Sequence, residues 1–183
     1  MLLYFLCVFW AAFALFFGAL LTERKIFYPL SDYKNEIIFA AEKYDIDAAL
    51  VFAMIRTESR FDKNALSDKG AAGLMQITEK TAEYVASLRG IAEYDIFEPI
   101  TNIDFGCYYY KYLESKFKDK NTCLAAYNAG EGNVSVWLKD INYSADGITI
   151  YKIPIKETAE YVDKVNKSLR KYKNLYYNIL DKR

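Results

Sequence analysis

The sequence predicts a mainly α-helical domain preceded by one N-terminal transmembrane helix, and three observations carry that expectation. The run Leu2 to Leu21 holds no charged residue and is dominated by Leu, Phe and Ala. Downstream, apolar residues recur at three- and four-residue steps, the period of a helix with one buried face. No internal repeat, low-complexity stretch or Gly/Ser linker interrupts the 183 residues, which leaves room for one domain and a short appendage.

At about 1.5 Å per residue the Leu2–Leu21 run is long enough to cross a hydrocarbon core of about 30 Å. A cleaved signal peptide is the rival reading, but its apolar core is usually shorter. The exit Gly18-Ala19-Leu20-Leu21-Thr22 also lacks a small-x-small cleavage site. Residues 1–22 are therefore expected to be an uncleaved anchor, 23–31 a connector and 32–183 the domain. Arg24 and Lys25 follow the helix, and the positive-inside tendency taken alone would keep the remainder cytoplasmic.

Ser31 or Asp32 is placed to cap a helix bearing Tyr33, Ile37, Ala41 and Tyr44, and Asp47 to cap the next, where Leu50, Met54 and Glu58 fall in line. Asp62 to Gly73 is rich in Asp, Asn, Ser and Gly and reads as a loop; Thr78-Glu79 opens a helix to about Leu88 that Gly90 ends. A further helix is expected from about Asn102 to Phe117, then a shorter one capped by Asn121 or Thr122 and ending near Gly130, then a short one over Asn133 to Leu138. Asn142 to Pro154 reads as a loop or short extended hairpin. A long helix from Glu157 to about Leu180 carries Tyr161, Val165, Leu169, Tyr172 and Tyr176.

Composition narrows the chemistry. Lys plus Arg and Asp plus Glu each total 24, and without a basic stripe nucleic-acid binding is not expected. Histidine is absent, which removes Ser-His and Cys-His nucleophile pairs and the usual imidazole ligands of zinc. Cys7, Cys107 and Cys123 show no C-x-x-C spacing, so neither a metal nor another cofactor is expected. Cys107 and Cys123 either pair, in an oxidising compartment, or stay buried as thiols. Acid-base work then falls to carboxylates, Tyr or Lys.

Glu58 is a carboxyl on an apolar stripe near a helix C-terminus, where both the apolar wall and the negative end of the helix dipole raise a carboxyl pKa. From position alone, a helix-end glutamate paired with Arg56 or Arg60 is the plainer reading. The surrounding residues change the odds. Glu58-Ser59-Arg60-Phe61, Ala65, Ser67, Gly70-Ala71, Gly73-Leu74-Met75-Gln76-Ile77 and Thr81-Ala82 occur in sequence, followed by Asn102-Ile103, Gly106, Ala126-Tyr127-Asn128-Ala129-Gly130, Glu157-Thr158 and Tyr161-Val162. Over about Ile46 to Val165 this ordered set resembles the soluble lytic transglycosylase (SLT) catalytic domain, far more specifically than a lone short motif would.

The resemblance implies a lysozyme-like fold, Glu58 as the catalytic acid and base, and Ser67, Gln76, Tyr127, Asn128, Glu157 and Tyr161 around a sugar-binding cleft. Each of those six has a plainer alternative as a loop turn, a cap, a solvated polar group or core. Where many members of the family have Met-Pro, this chain has Thr78-Glu79, which bears on one subsite and not on Glu58. The implied substrate is the peptidoglycan glycan strand, cut between N-acetylmuramic acid and N-acetylglucosamine to leave a 1,6-anhydro end. Ordinary glycoside hydrolysis uses two carboxyl groups, and no second one stands out; Asp62 reads as a loop cap. A muramidase of the same fold and a non-catalytic wall-binding component are the alternatives. A monomer is expected, tethered by the N-terminal helix, with the catalytic domain extracytoplasmic because the implied substrate is there.

Overall fold

The computed structural model describes the backbone of residues 2–180 and the side chains of residues 9–180. The chain divides into two units at Asp32–Tyr33. In the first, α1 (Leu2–Thr22) runs on into a π-helical turn, Glu23–Phe27. Its side chains are strongly exposed for apolar groups, with Trp10 at 62% and Leu15 at 76%. Among the described residues no helix is long and apolar enough to cross a membrane. The transmembrane span expected from Leu2 to Leu21 is therefore not supported, and the side chains of its first part, Cys7 included, lie outside the described residues.

The second unit is built on α3 (Ala48–Glu58). Asp47 begins it as expected, its side chain accepting from the Ala49 amide at 2.9 Å, a cap worth about 1 kcal/mol. The helix is not amphipathic in the way its spacing suggested. Every residue from Ala49 to Ile55 is buried, and Phe52, Ala53, Met54 and Ile55 have no exposure at all. A helix buried all round is a core element, each large apolar side chain stabilising the fold by about 1.5–3 kcal/mol. Its chief wall is α8 (Lys156–Leu180), whose Tyr172 ring centre lies 5.4 Å from that of Phe52.

The other helices complete the wall. α2 (Lys34–Lys43) packs on α3 and on α5 (Pro99–Lys116), and α4 (Glu79–Arg89) also packs on α5. α6 (Lys120–Ala129) lies against α5, α7 (Glu131–Trp137) and α8. Asp104 of α5 ties three helices together, accepting from Lys43 of α2 and from Tyr44 at its C-cap at 2.6 and 2.8 Å and pairing with Arg89 of α4. Burial alone would raise the Asp104 pKa, but the bonds from Lys43, Tyr44 and Arg89 outweigh it and hold the carboxyl below its ordinary value.

Several boundaries differ from the sequence reading. α2 has Tyr33 at its N-cap and no side-chain cap, so neither Ser31 nor Asp32 plays the expected part. α5 starts at Pro99, with Glu98 accepting from the Thr101 amide; proline suits the first helical position because its missing N–H would be unpaired there anyway. Asp119, not Asn121 or Thr122, caps α6, and it holds both the amide and the hydroxyl of Thr122. The Thr122 hydroxyl also accepts from the Ile150 amide at 3.2 Å, fixing the 142–154 segment, which is a loop. Thr78 and Gly90 cap α4 as expected, Gly90 in the left-handed conformation. An unexpected two-stranded ribbon, β1 (Ala71–Ala72) and β2 (Ile77–Thr78), pairs antiparallel with Ala71 opposite Thr78. Cys107 and Cys123 are buried free thiols.

Candidate active site

Glu58 is the last residue of α3, and the chain leaves it abruptly. Arg60 and Phe61 have φ of +53° and +69°, consecutive left-handed residues whose side chains disfavour that conformation. Such strain persists only where neighbours over-determine it. Ser59 does so here: its hydroxyl donates to the Leu74 carbonyl at 2.8 Å and accepts from the Phe61 amide at 3.1 Å.

The loop that Ser59 grips is folded on itself. The Asp62 carboxylate accepts from the Asn64 amide, a local turn, and the Ser67 hydroxyl accepts from the Ala71 amide at 3.0 Å. Gln76 has φ of +49° and donates its amide N–H groups to the carbonyls of Ala65 and Gly73 at 3.1 and 3.0 Å. Behind the ribbon stands the fully buried Asn102 of α5. Its Oδ1 accepts from the Met75 amide at 2.7 Å, and its Nδ2 donates to the carbonyls of Ala72 and Ile96 at 2.9 and 2.8 Å. Gly73, at φ +74°, has no room for a Cβ against Asn102, and a Cβ on Gly106 would overlap Met75. The Gly-Leu-Met-Gln run is therefore a knot tied by Asn102.

Against this knot the Glu58 carboxyl is desolvated. Burial raises its pKa from 4.5 to about 8, with the Tyr161 hydroxyl pulling the other way, and no charged side chain contributes. Neither Arg56 nor Arg60 thus acts as the ion-pair partner that the plainer reading required. The Tyr161 hydroxyl is buried and faces the Glu58 carboxyl, the group it acts on, just outside ordinary hydrogen-bond geometry. Tyr127 of α6 flanks the same carboxyl and donates to the Met75 carbonyl at 2.9 Å.

Tyr127 and Tyr161 are thus brought to Glu58, and Ser67 and Gln76 shape the loop beside it. Asn128 and Glu157 sit further round. The Asn128 Oδ1 accepts from the buried Thr158 hydroxyl at 2.8 Å. Exposed Glu157 pairs with Lys69 of the loop at 2.8 Å, a contact that solvent makes weak. Thr78, the departure from the Met-Pro pattern, spends its hydroxyl on capping α4. Ser59 and Asn102 shape the site without having been singled out for it, since a small polar residue in a sequence gives no sign of which carbonyls it will meet. No group of side chains among the described residues is arranged to hold a metal ion.

Residues 35–149 match the model of the transglycosylase SLT domain. The chain belongs to that family. Among relatives of this SLT domain, the soluble lytic murein transglycosylase of Salmonella typhimurium is 35% identical over 127 residues, covering 66% of this chain and 20% of that protein. The membrane-bound lytic murein transglycosylase C of Serratia proteamaculans is 30% identical over 159 residues, covering 73% and 44%. The chain thus spans about a fifth of the first relative and under half of the second. The crystal structure of the 70 kDa soluble lytic transglycosylase of Escherichia coli matches with TM-score 0.70 and 29% identity, over 80% of this chain and 25% of that one. An inactive glutamate-to-glutamine mutant of lytic transglycosylase Slt from Pseudomonas aeruginosa matches with TM-score 0.69 and 29% identity, over 80% and 24%. The SLT domain here therefore has the mainly helical, lysozyme-like fold expected of it.

Proposed function

We propose that the chain is a membrane-attached peptidoglycan lytic transglycosylase that cleaves the β-1,4 bond from N-acetylmuramic acid to N-acetylglucosamine without water. The observation that carries this reading is the desolvated Glu58 carboxyl, with a pKa of about 8 and no charged partner. At neutral pH such a group holds its proton and can give it up to a leaving group, as general acid catalysis requires. Hydrolysis by paired carboxyls needs a second one about 5–9.5 Å away, and no other carboxylate perturbs Glu58.

Glu58 first donates its proton to the glycosidic oxygen as the bond to C1 of the muramic ring breaks. The substrate's own N-acetyl carbonyl oxygen captures the cationic C1. Glu58, now a carboxylate, accepts the proton of the C6 hydroxyl, whose oxygen bonds to C1 as the acetamido group leaves. The proton balance closes, no water is consumed, and the product carries a 1,6-anhydro ring. Tyr127 and Tyr161 flank the reacting centre, while Ser67, Gln76, Asn128 and Glu157 supply polar groups along the cleft. The inactive glutamate-to-glutamine mutant among the relatives supports an essential glutamate.

Membrane attachment is read from α1, where the sequence is uncharged from Leu2 to Leu21 and the apolar side chains from Phe9 to Ala19 are exposed, and from the membrane-bound relative. The domain then lies outside the cytoplasm, where peptidoglycan is, against the bias of Arg24 and Lys25.

The test is mass spectrometry of fragments released from purified peptidoglycan by the detergent-solubilised chain and by its Glu58→Gln variant. Fragments one water lighter than hydrolysis products are expected, and a fall of about 10²–10⁴-fold in the variant. Reducing ends would make the protein a muramidase; no release by the folded chain would leave a wall-binding component.

A further inference from the structure

Two exposed surfaces of the second unit are complementary to each other. The first is a groove between α2 and the start of α5, bordered by residues 91–94, with a volume of about 580 Å³. Ala40 and Phe105 are its buried residues, whereas Phe39 and Ile100 stand out at 67% and 60% exposure. Lys43 and Asp104 also line it but are paired with each other. Glu36 and Glu93 line it too and make no ion pair among the described residues, and the Glu36 Oε2 is buried without a hydrogen-bond partner there. The adjoining residues add Asp95 and Glu98 and, from 91 to 98, no base. A buried acceptor without a donor is unfavourable, so this apolar, acidic groove suits an occupant that brings apolar side chains and a cation.

The second surface is a ridge, residues 139–152. Ile141 and Tyr151 are 69% and 62% exposed, and Ile148, between them in sequence, is exposed as well. Lys139 and Lys152 are exposed and make no ion pair among the described residues. The two acids of the ridge each spend an oxygen on its own backbone, Asp140 on the Asn142 amide and Asp146 on the amides of Ile148 and Thr149. The ridge is held in shape before it meets anything: the Tyr151 hydroxyl donates to the Ile141 carbonyl at 2.5 Å, and the Tyr151 amide to the Tyr143 carbonyl at 3.0 Å. A surface ordered in advance loses less freedom on binding. Exposed apolar side chains rimmed by charge mark interaction sites, and the ridge has the cations that the groove lacks.

We propose that copies of this chain associate head to tail, the 139–152 ridge of one seated in the α2–α5 groove of the next. Ile148 and Tyr151 then meet Phe39 and Ile100, and Lys139 and Lys152 face Glu36 and Glu93. Groove and ridge are different surfaces of one chain, so the contact is heterologous: each copy offers one of each, and assembly continues into a ring or a row. This association takes the place of the monomer expected from the sequence, and it does not depend on the chemistry at Glu58.

The test uses the full chain in non-ionic detergent, carrying a donor or an acceptor fluorophore at its C-terminus, with energy transfer read against protein concentration. Transfer between unsubstituted copies is expected. Glu36→Lys with Glu93→Lys, and separately Lys139→Glu with Lys152→Glu, should each raise the concentration needed for transfer by at least about tenfold, because like charges then face each other. Mixing the two variants should restore it, since lysines in the groove of one then meet glutamates on the ridge of the other; restoration also shows that both variants fold. Phe39→Ala and Tyr151→Ala, which leave the charges alone, should each weaken association by about tenfold. No transfer between unsubstituted copies, transfer that the charge reversals leave unchanged, or two silent variants that stay silent when mixed would each overturn the head-to-tail contact.

Discussion

At the scale of the residue, Glu58 and Tyr161 form a couple whose two members work against each other. Burial keeps the Glu58 proton on, and the Tyr161 hydroxyl favours its loss. Activity that begins with a protonated Glu58 should therefore decline as pH rises through about 8. Tyr161→Phe removes the opposing influence, so the alkaline limb of the pH–rate profile is expected to move to higher pH; a limb unmoved or moved down would refute this placement of the hydroxyl. Linkage fixes a companion sign: a carboxyl whose folded pKa exceeds its ordinary 4.5 withdraws stability as pH climbs from there toward about 8. Glu58 was legible because motif and spacing agreed on it. The pull of the Tyr161 hydroxyl on it was not, since a tyrosine on a helical stripe looks the same whichever group its oxygen faces.

At the scale of the element, helices are held to one another by groups that a linear reading cannot pair. Asp104 joins α2, α4 and α5, yet nothing in its surroundings in the sequence announces Lys43 or Arg89. Asp104→Asn leaves those two cations facing a neutral amide and is expected to cost about 1–3 kcal/mol at pH 7, read from chemical denaturation. Because the folded Asp104 pKa is depressed, its contribution is present above the ordinary value of 3.8 and is lost as pH falls below it. Parent and variant should thus converge in strong acid. The helices themselves were legible where a single capping residue was available, as at Asp47, Thr78 and Gly90. Where polar residues crowd together, local chemistry misled: Asn121 or Thr122 was expected to cap α6, and the structure seats Asp119 instead. Strands two residues long have no period to detect, so β1 lies inside the Asp62–Gly73 segment expected as a loop and β2 had no sign in the sequence.

At the scale of the whole molecule, the first unit exposes the apolar side chains described for α1, and the second carries the candidate site. The full chain is expected to sediment with membranes and to be released by detergent but not by high salt, whereas a chain beginning at Tyr33 should stay in the supernatant. Release of the full chain by salt alone would count against α1 as the attachment. Packing of α8 over α3 has a further consequence, for the order of events during biosynthesis. A ribosome delivers Glu58 long before Tyr161 and the wall that desolvates it, so for much of translation the glutamate is an ordinary surface acid. The proposed capacity to cut would thus mature late in synthesis, well after the apolar run of α1 has emerged.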